Sequence, residues 1–187
     1  MDILLHNVTT WMPLNVALAL LGVIFGLLLL KAKKQPFRII FFILWFLFVP
    51  NTIYLLTDLQ YFPEQVVKLE FPYQVILAGQ YLLLFILGIT TFLLGLYPLE
   101  KILKEHKVKD KNLHKVSIVI MSFLISFAVA LGKIQRVSSW EVFTNPQGTV
   151  AGILATYRSF EIMVFVILFG VASSALYFSF KRIFKFT

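Results

Sequence analysis

Asn51, Tyr54 and Asp58 stand at i, i+3 and i+7. A helix running through them carries an amide, a phenol and a carboxylate on one face, with Thr57 beside the carboxylate. Further along, the stretch Gly132-Lys133-Ile134-Gln135-Arg136-Val137-Ser138-Ser139-Trp140-Glu141 holds Lys133 and Arg136 at i and i+3, followed by Ser139, Trp140 and Glu141. Two chemistries are open to such a set. Asp58 can neutralise Lys133 or Arg136 in an ion pair that pins one helix to another. Alternatively the cations gather an anionic group such as a phosphate or carboxylate, Arg136 through its planar fork, with Asp58 as base or orienter. Both readings use the same side chains.

The elements that position these groups are apolar. Of 187 residues, 59 % are hydrophobic and 14 % charged, against roughly 25 % charged in a soluble domain. The 20 phenylalanines fill long runs between short charged clusters. A bilayer core needs about 20 helical residues to cross it, and the apolar runs meet that length. The reading is an all-α, polytopic membrane protein of about five transmembrane helices in a single membrane domain. The spans fall at about 12–30, 39–56, 74–96, 116–132 and 162–180. Pro50 removes a backbone donor near the end of the second span, where the polar face begins.

Basic residues set the orientation. Lys31, Lys33, Lys34 and Arg38 follow the first span, Lys101 to Lys115 supply six more after the third, and Lys181, Arg182 and Lys185 close the chain. The opposite loops hold Lys68, Lys133, Arg136 and Arg158. The excess belongs on the cytoplasmic side, which puts the N-terminus outside and the C-terminus in the cytoplasm. The Asp58 end of span two and the Lys133 end of span four then share the outer face, with Trp140 in the interfacial belt. The first span has Asp2 and no Lys or Arg before it, unlike a cleaved signal, and is expected to be retained. The segment 150–157, between spans four and five, is apolar enough to rest on the membrane surface or dip into it.

The net charge of +8 is accounted for by these flanks, so no nucleic-acid partner is expected. With no Cys there is no disulfide and no thiolate site. His106 and His114 lie in a basic loop read as a solvated helix, and no metal or cofactor is expected. Phosphate-cradling Gly-rich loops, His-Glu-x-x-His and Gly-x-Ser-x-Gly do not occur. Ser138 and Ser139 have no neighbouring His to activate them. Gly22 with Gly26, Ser122 with Ser126 and Ala130, and Gly170 with Ser174 place small residues four apart. Such pairs let helices pack closely within one chain or between two copies.

The two polar stretches resemble those of a bacterial family of multi-pass membrane proteins, domain of unknown function 1361. Its Trp-x-x-Phe-x-Pro-Asn-x-x-Tyr-x-x-Thr-Asp-Leu stretch is matched by Trp45, Phe48, Pro50, Asn51, Tyr54, Thr57, Asp58 and Leu59. Its Gly-Arg-x-x-Arg-x-Asn-Ser-Trp-Asp stretch is matched at Gly132, Arg136, Ser139 and Trp140, with Lys133, Ser138 and Glu141 as substitutions. Where the family often shows a His after the Thr-Asp pair, this chain has Gln60 and Tyr61. The resemblance implies a bacterial cytoplasmic membrane, a shared architecture and a shared outer-face cluster, and no activity.

The function expected from the sequence is a membrane module whose polar cluster pins the helices or assembles with a partner. Membrane lipids and either a second copy or another membrane protein are the partners. The alternatives are an enzyme or binding protein for an anionic substrate, lipid-linked or free, at the outer face and, on the strength of the Pro50-Asn51 break, a transporter.

Overall fold

A computed structural model describes residues 2–105, 111–138 and 140–184. Among these residues every regular element is helical. Among the described residues five helices are long and apolar enough to cross a membrane: Asp2–Lys31, Gln35–Val66, Phe71–Glu105, Asn112–Lys133 and Phe160–Lys181. Most extend beyond the apolar runs by a turn or more. The chain divides into two units, residues 1–95 and 96–187.

In the first unit, α1 (Asp2–Thr9) leads into α2 (Trp11–Lys31). Thr9 and Thr10 at the junction both bond back to carbonyls one turn earlier, which bends a helix locally. Then α3 (Gln35–Phe48) gives way to α4 (Pro50–Thr57), a 3-10 turn (Asp58–Tyr61) and α5 (Phe62–Val66). The cause of the break at Val49 is visible in its hydrogen bonds. Pro50 has no N–H, and the Thr52 amide donates to Val49 rather than to Phe48 (3.1 Å). The Phe48 carbonyl takes the Asn51 side-chain amide instead, at 3.1 Å. A backbone acceptor in hydrocarbon needs such a partner, because no water is there to supply one.

The helix α6 (Phe71–Glu105) begins in this unit. The break is enclosed by close backbone approaches. A methyl group at Gly22 of α2 would lie 2.8 Å from the Phe48 carbonyl oxygen, and one at Gly95 of α6 would lie 3.0 Å from Thr52 Cγ2. The buried Trp45 indole donates to the Gly95 carbonyl (2.8 Å), and Thr91 donates to the Thr52 carbonyl (3.1 Å). The core at the Asp58 end is Leu4, Met12, Ala19, Leu55, Leu77, Tyr81 and Leu84.

The second unit holds the end of α6 with α7 (Lys111–Lys133), α8 (Glu141–Thr144), α9 (Pro146–Arg158) and α10 (Phe160–Phe184). α7 and α10 pack on each other, with Gly170 against the Phe123 ring. The buried Ser122, Ser126 and Ser174 return their hydroxyls to carbonyls one turn back at 2.7–2.9 Å. Glu100, almost fully buried, is ion-paired with Lys181, and the Lys181 ammonium lies 5.9 Å from the Tyr177 ring centre.

Candidate functional site

The first unit places Asn51, Tyr54, Thr57 and Asp58 on α4 and the turn that ends it. Asn51, Tyr54 and Thr57 are half-buried, and Asp58 is 1 % exposed. Asn51 bonds the Phe48 carbonyl as described, and the Thr57 hydroxyl donates to the Tyr54 carbonyl at 2.6 Å. Both thereby complete the backbone of a helix that Pro50 interrupts and a 3-10 turn terminates. The Asp58 carboxylate accepts from the Asn15 side-chain amide at 2.7 Å. That bond ties α2 to the end of α4 across 43 residues of sequence. A carboxyl group removed from water requires hydrogen-bond partners.

A second polar group lies at the same end of this unit. Asn7 on α1 is fully buried. Its amide donates to Gln65 Oε1 on α5 at 2.7 Å and to Gln80 Oε1 on α6 at 3.4 Å. In return its oxygen accepts from the Trp11 indole at 3.0 Å and from Gln65 Nε2 at 3.3 Å. Gln80 also donates to the Leu4 carbonyl at 3.2 Å. Asn7 therefore uses both halves of its amide, and one side chain holds α1, α5 and α6 together. Beside it, Trp11 packs edge-on against Tyr61 and tilted against Tyr81. The Tyr81 hydroxyl is buried and makes no hydrogen bond among the described residues.

Over this network opens a cleft of about 460 Å³, with Asp2, His6 and Asn7 on one wall and Glu64, Gln65 and Lys68 on the other. Lys68 is ion-paired with Glu64 at 2.8 Å. The walls carry the carboxylates of Asp2 and Glu64 and the ammonium of Lys68. Among the described residues no group of His, Asp and Glu is arranged to hold a metal ion.

The second unit holds Lys133, Arg136, Trp140 and Glu141, while Ser139 lies outside the described residues. Lys133 ends α7 and is half-buried. Arg136 is exposed and adopts φ 59°, the left-handed region, at a cost of roughly 1–2 kcal/mol for a residue with a Cβ. This turn lets the Val137 amide reach back to the Leu131 carbonyl at 3.1 Å. Glu141, at the start of α8, accepts from the Ser138 amide at 2.9 Å and caps the chain there. Trp140 is exposed. His106 also lies outside the described residues, so the pair His106 and His114 is not described.

Asn7, Trp11, Asn15, Gln65 and Gln80 were not among the expected site residues. One signal was present: Asn7, Trp11 and Asn15 recur every four residues, which puts them on one helix face.

A family model described as "Protein of unknown function (DUF1361)" matches residues 14–176. No curated protein and no solved structure matches the chain.

Proposed function

The chain belongs to the DUF1361 family, and we propose that it is a non-catalytic integral membrane module in which the polar residues at one end of the spans act as helix pins. The observation that carries this reading is the Asn15–Asp58 bond: a carboxylate 1 % exposed, held at 2.7 Å by an amide from another helix. Asn51 and Thr57 support it, because the Asn51 amide N–H and the Thr57 hydroxyl each donate to a carbonyl of their own segment. The positive-inside distribution of Lys and Arg supports an N-terminus outside and a C-terminus in the cytoplasm, in a bacterial cytoplasmic membrane. Lipids surround the module, and a second copy or another membrane protein is its assembly partner.

A second reading takes the cleft above Asn7 as a binding site for a small polar group at the membrane boundary, such as a lipid headgroup. The cleft's volume of about 460 Å³ is within the range of small-molecule sites.

The experiment is a double-mutant cycle on unfolding in detergent with wild type, Asn15→Ala, Asp58→Ala and the double variant. Each is run with and without phosphate-bearing lipids. On the pin reading, Asn15→Ala leaves a buried carboxylate short of a donor and costs about 1.5–3 kcal/mol, the double variant costs less than the sum, and lipid changes nothing. Additive single effects would refute the pin, and a lipid-induced stabilisation of wild type would favour the site.

A further inference from the structure

α9 has its polarity reversed relative to a helix on the surface of a soluble protein. Its buried positions are Thr149, Gly152 and Thr156, at i, i+3 and i+7. Val150, Ile153, Leu154 and Tyr157, at i, i+3, i+4 and i+7, form a continuous apolar stripe and are exposed, Val150 at 55 % and Tyr157 at 71 %. In water the apolar stripe of a helix turns toward the protein. The inward polar groups are satisfied by the helix itself: the Thr149 hydroxyl donates to the Asn145 carbonyl (3.0 Å) and that of Thr156 to the Gly152 carbonyl (2.9 Å). Gly152 allows the close seat, since a methyl group there would lie 2.7 Å from Val137 Cγ2.

We infer that α9 is embedded in one leaflet of the bilayer, its Val150–Ile153–Leu154–Tyr157 stripe covered by acyl chains, without crossing the membrane. Three observations name lipid as the occupant. No charged residue occurs from Val142 to Tyr157, so nothing in the stripe resists hydrocarbon. The 13 residues of α9 make a rod of roughly 20 Å, too short for a core of about 30 Å. Only Ser159 separates α9 from α10, whose exposed Val164, Ile167 and Leu168 continue the apolar surface of a spanning helix. Arg158, at the end of α9 and exposed, is placed to reach the headgroups. The inference does not depend on the pin reading, because no residue of α9 takes part in the first unit's network.

The chain has no Cys, so single thiols report directly. Val150→Cys, Ile153→Cys, Leu154→Cys and Tyr157→Cys, each spin-labelled in the full-length protein, are reconstituted in phosphatidylcholine vesicles with a minority of phosphatidylglycerol. Leu168→Cys serves as the lipid-facing reference and Lys68→Cys as the aqueous one. All substituted positions are exposed, and unfolding in detergent checks that the fold survives. The expected result is broadening by oxygen several-fold above that by a soluble nickel chelate at all four positions, as at Leu168. Gln147→Cys and Arg158→Cys should react with an impermeant maleimide from the same side. Nickel broadening equal to that at Lys68 would show a water-exposed face. Exclusion of both quenchers, with dipolar broadening lost on dilution by unlabelled protein, would show a second copy on it. Labelling of Gln147 and Arg158 from opposite sides would show a crossing. Each of these three outcomes overturns the inference.

Discussion

Adding one methyl group at Gly22 tests whether α2 is seated against the break in the second span. The new Cβ would lie 2.8 Å from the Phe48 carbonyl oxygen, 3.0 Å from its carbon and 3.2 Å from Thr52 Cγ2. Optimal contact is at about 3.5–4.0 Å, so the backbones must separate by roughly half an ångström. Phe48 is poorly placed to yield. Its carbonyl holds the Asn51 amide, and the neighbouring Trp45 is anchored to Gly95 on α6. Overpacking of this kind costs about 1–3 kcal/mol, partly offset by the helix preference of Ala over Gly, up to about 1 kcal/mol. Gly79 on α6 is the control, because a methyl group there meets nothing within 4 Å, leaving only the propensity gain. Reversible unfolding in mixed micelles should separate Gly22→Ala from Gly79→Ala by about 2 kcal/mol, with Gly22→Ala the weaker. The Gly22→Ala effect should also be non-additive with Asn51→Ala, since both act on the Phe48 carbonyl. Equal stability of the two alanine variants would refute the close approach and the account of the break built on it.

Three further outcomes are expected from the same unfolding assay. Tyr81→Phe should be neutral or slightly stabilising, because it removes a buried hydroxyl that makes no hydrogen bond among the described residues, whereas Tyr81→Ala should cost about 3–5 kcal/mol through the cavity it leaves. Lys181→Met should destabilise by about 2 kcal/mol or more, below the full value for a buried pair because Lys181 is half-exposed, and adding Glu100→Gln should recover much of the loss, since the damage is a buried carboxylate left without its cation. Arg136→Gly should be more stable than Arg136→Ala by about 1 kcal/mol, because only Gly is free of strain at φ 59°.

The five apolar helices were legible in the sequence because hydropathy is summed over a whole span, so single residues scarcely alter it. The break at Pro50 was legible because a missing N–H is a local fact. α1 was missed: Asp2, His6, Asn7, Thr9 and Thr10 dilute the apolar signal, and the expected span began at about residue 12 while the helix begins at Asp2. α9 was read only as an apolar stretch, although Asn145, which caps it by accepting from the Gly148 amide at 3.0 Å, and Pro146 at its first position are helix-start signals. Asp58 was singled out by type and place, but its donor Asn15 was not. Pairing across 43 residues depends on how two helices register, which spacing along one of them does not encode. The same holds for Asn7 with Gln65 and Gln80.

The Asn7 network also sets an order on biosynthesis. Asn7 finds its acceptor on α6 only 73 residues later in the chain, a delay of roughly 4–15 s at ordinary translation rates. Gln65, 58 residues after Asn7, is made before Gln80, so the bond to α5 can form ahead of the bond to α6. The network that joins α1, α5 and α6 is therefore complete only once the part of α6 that carries Gln80 has been made.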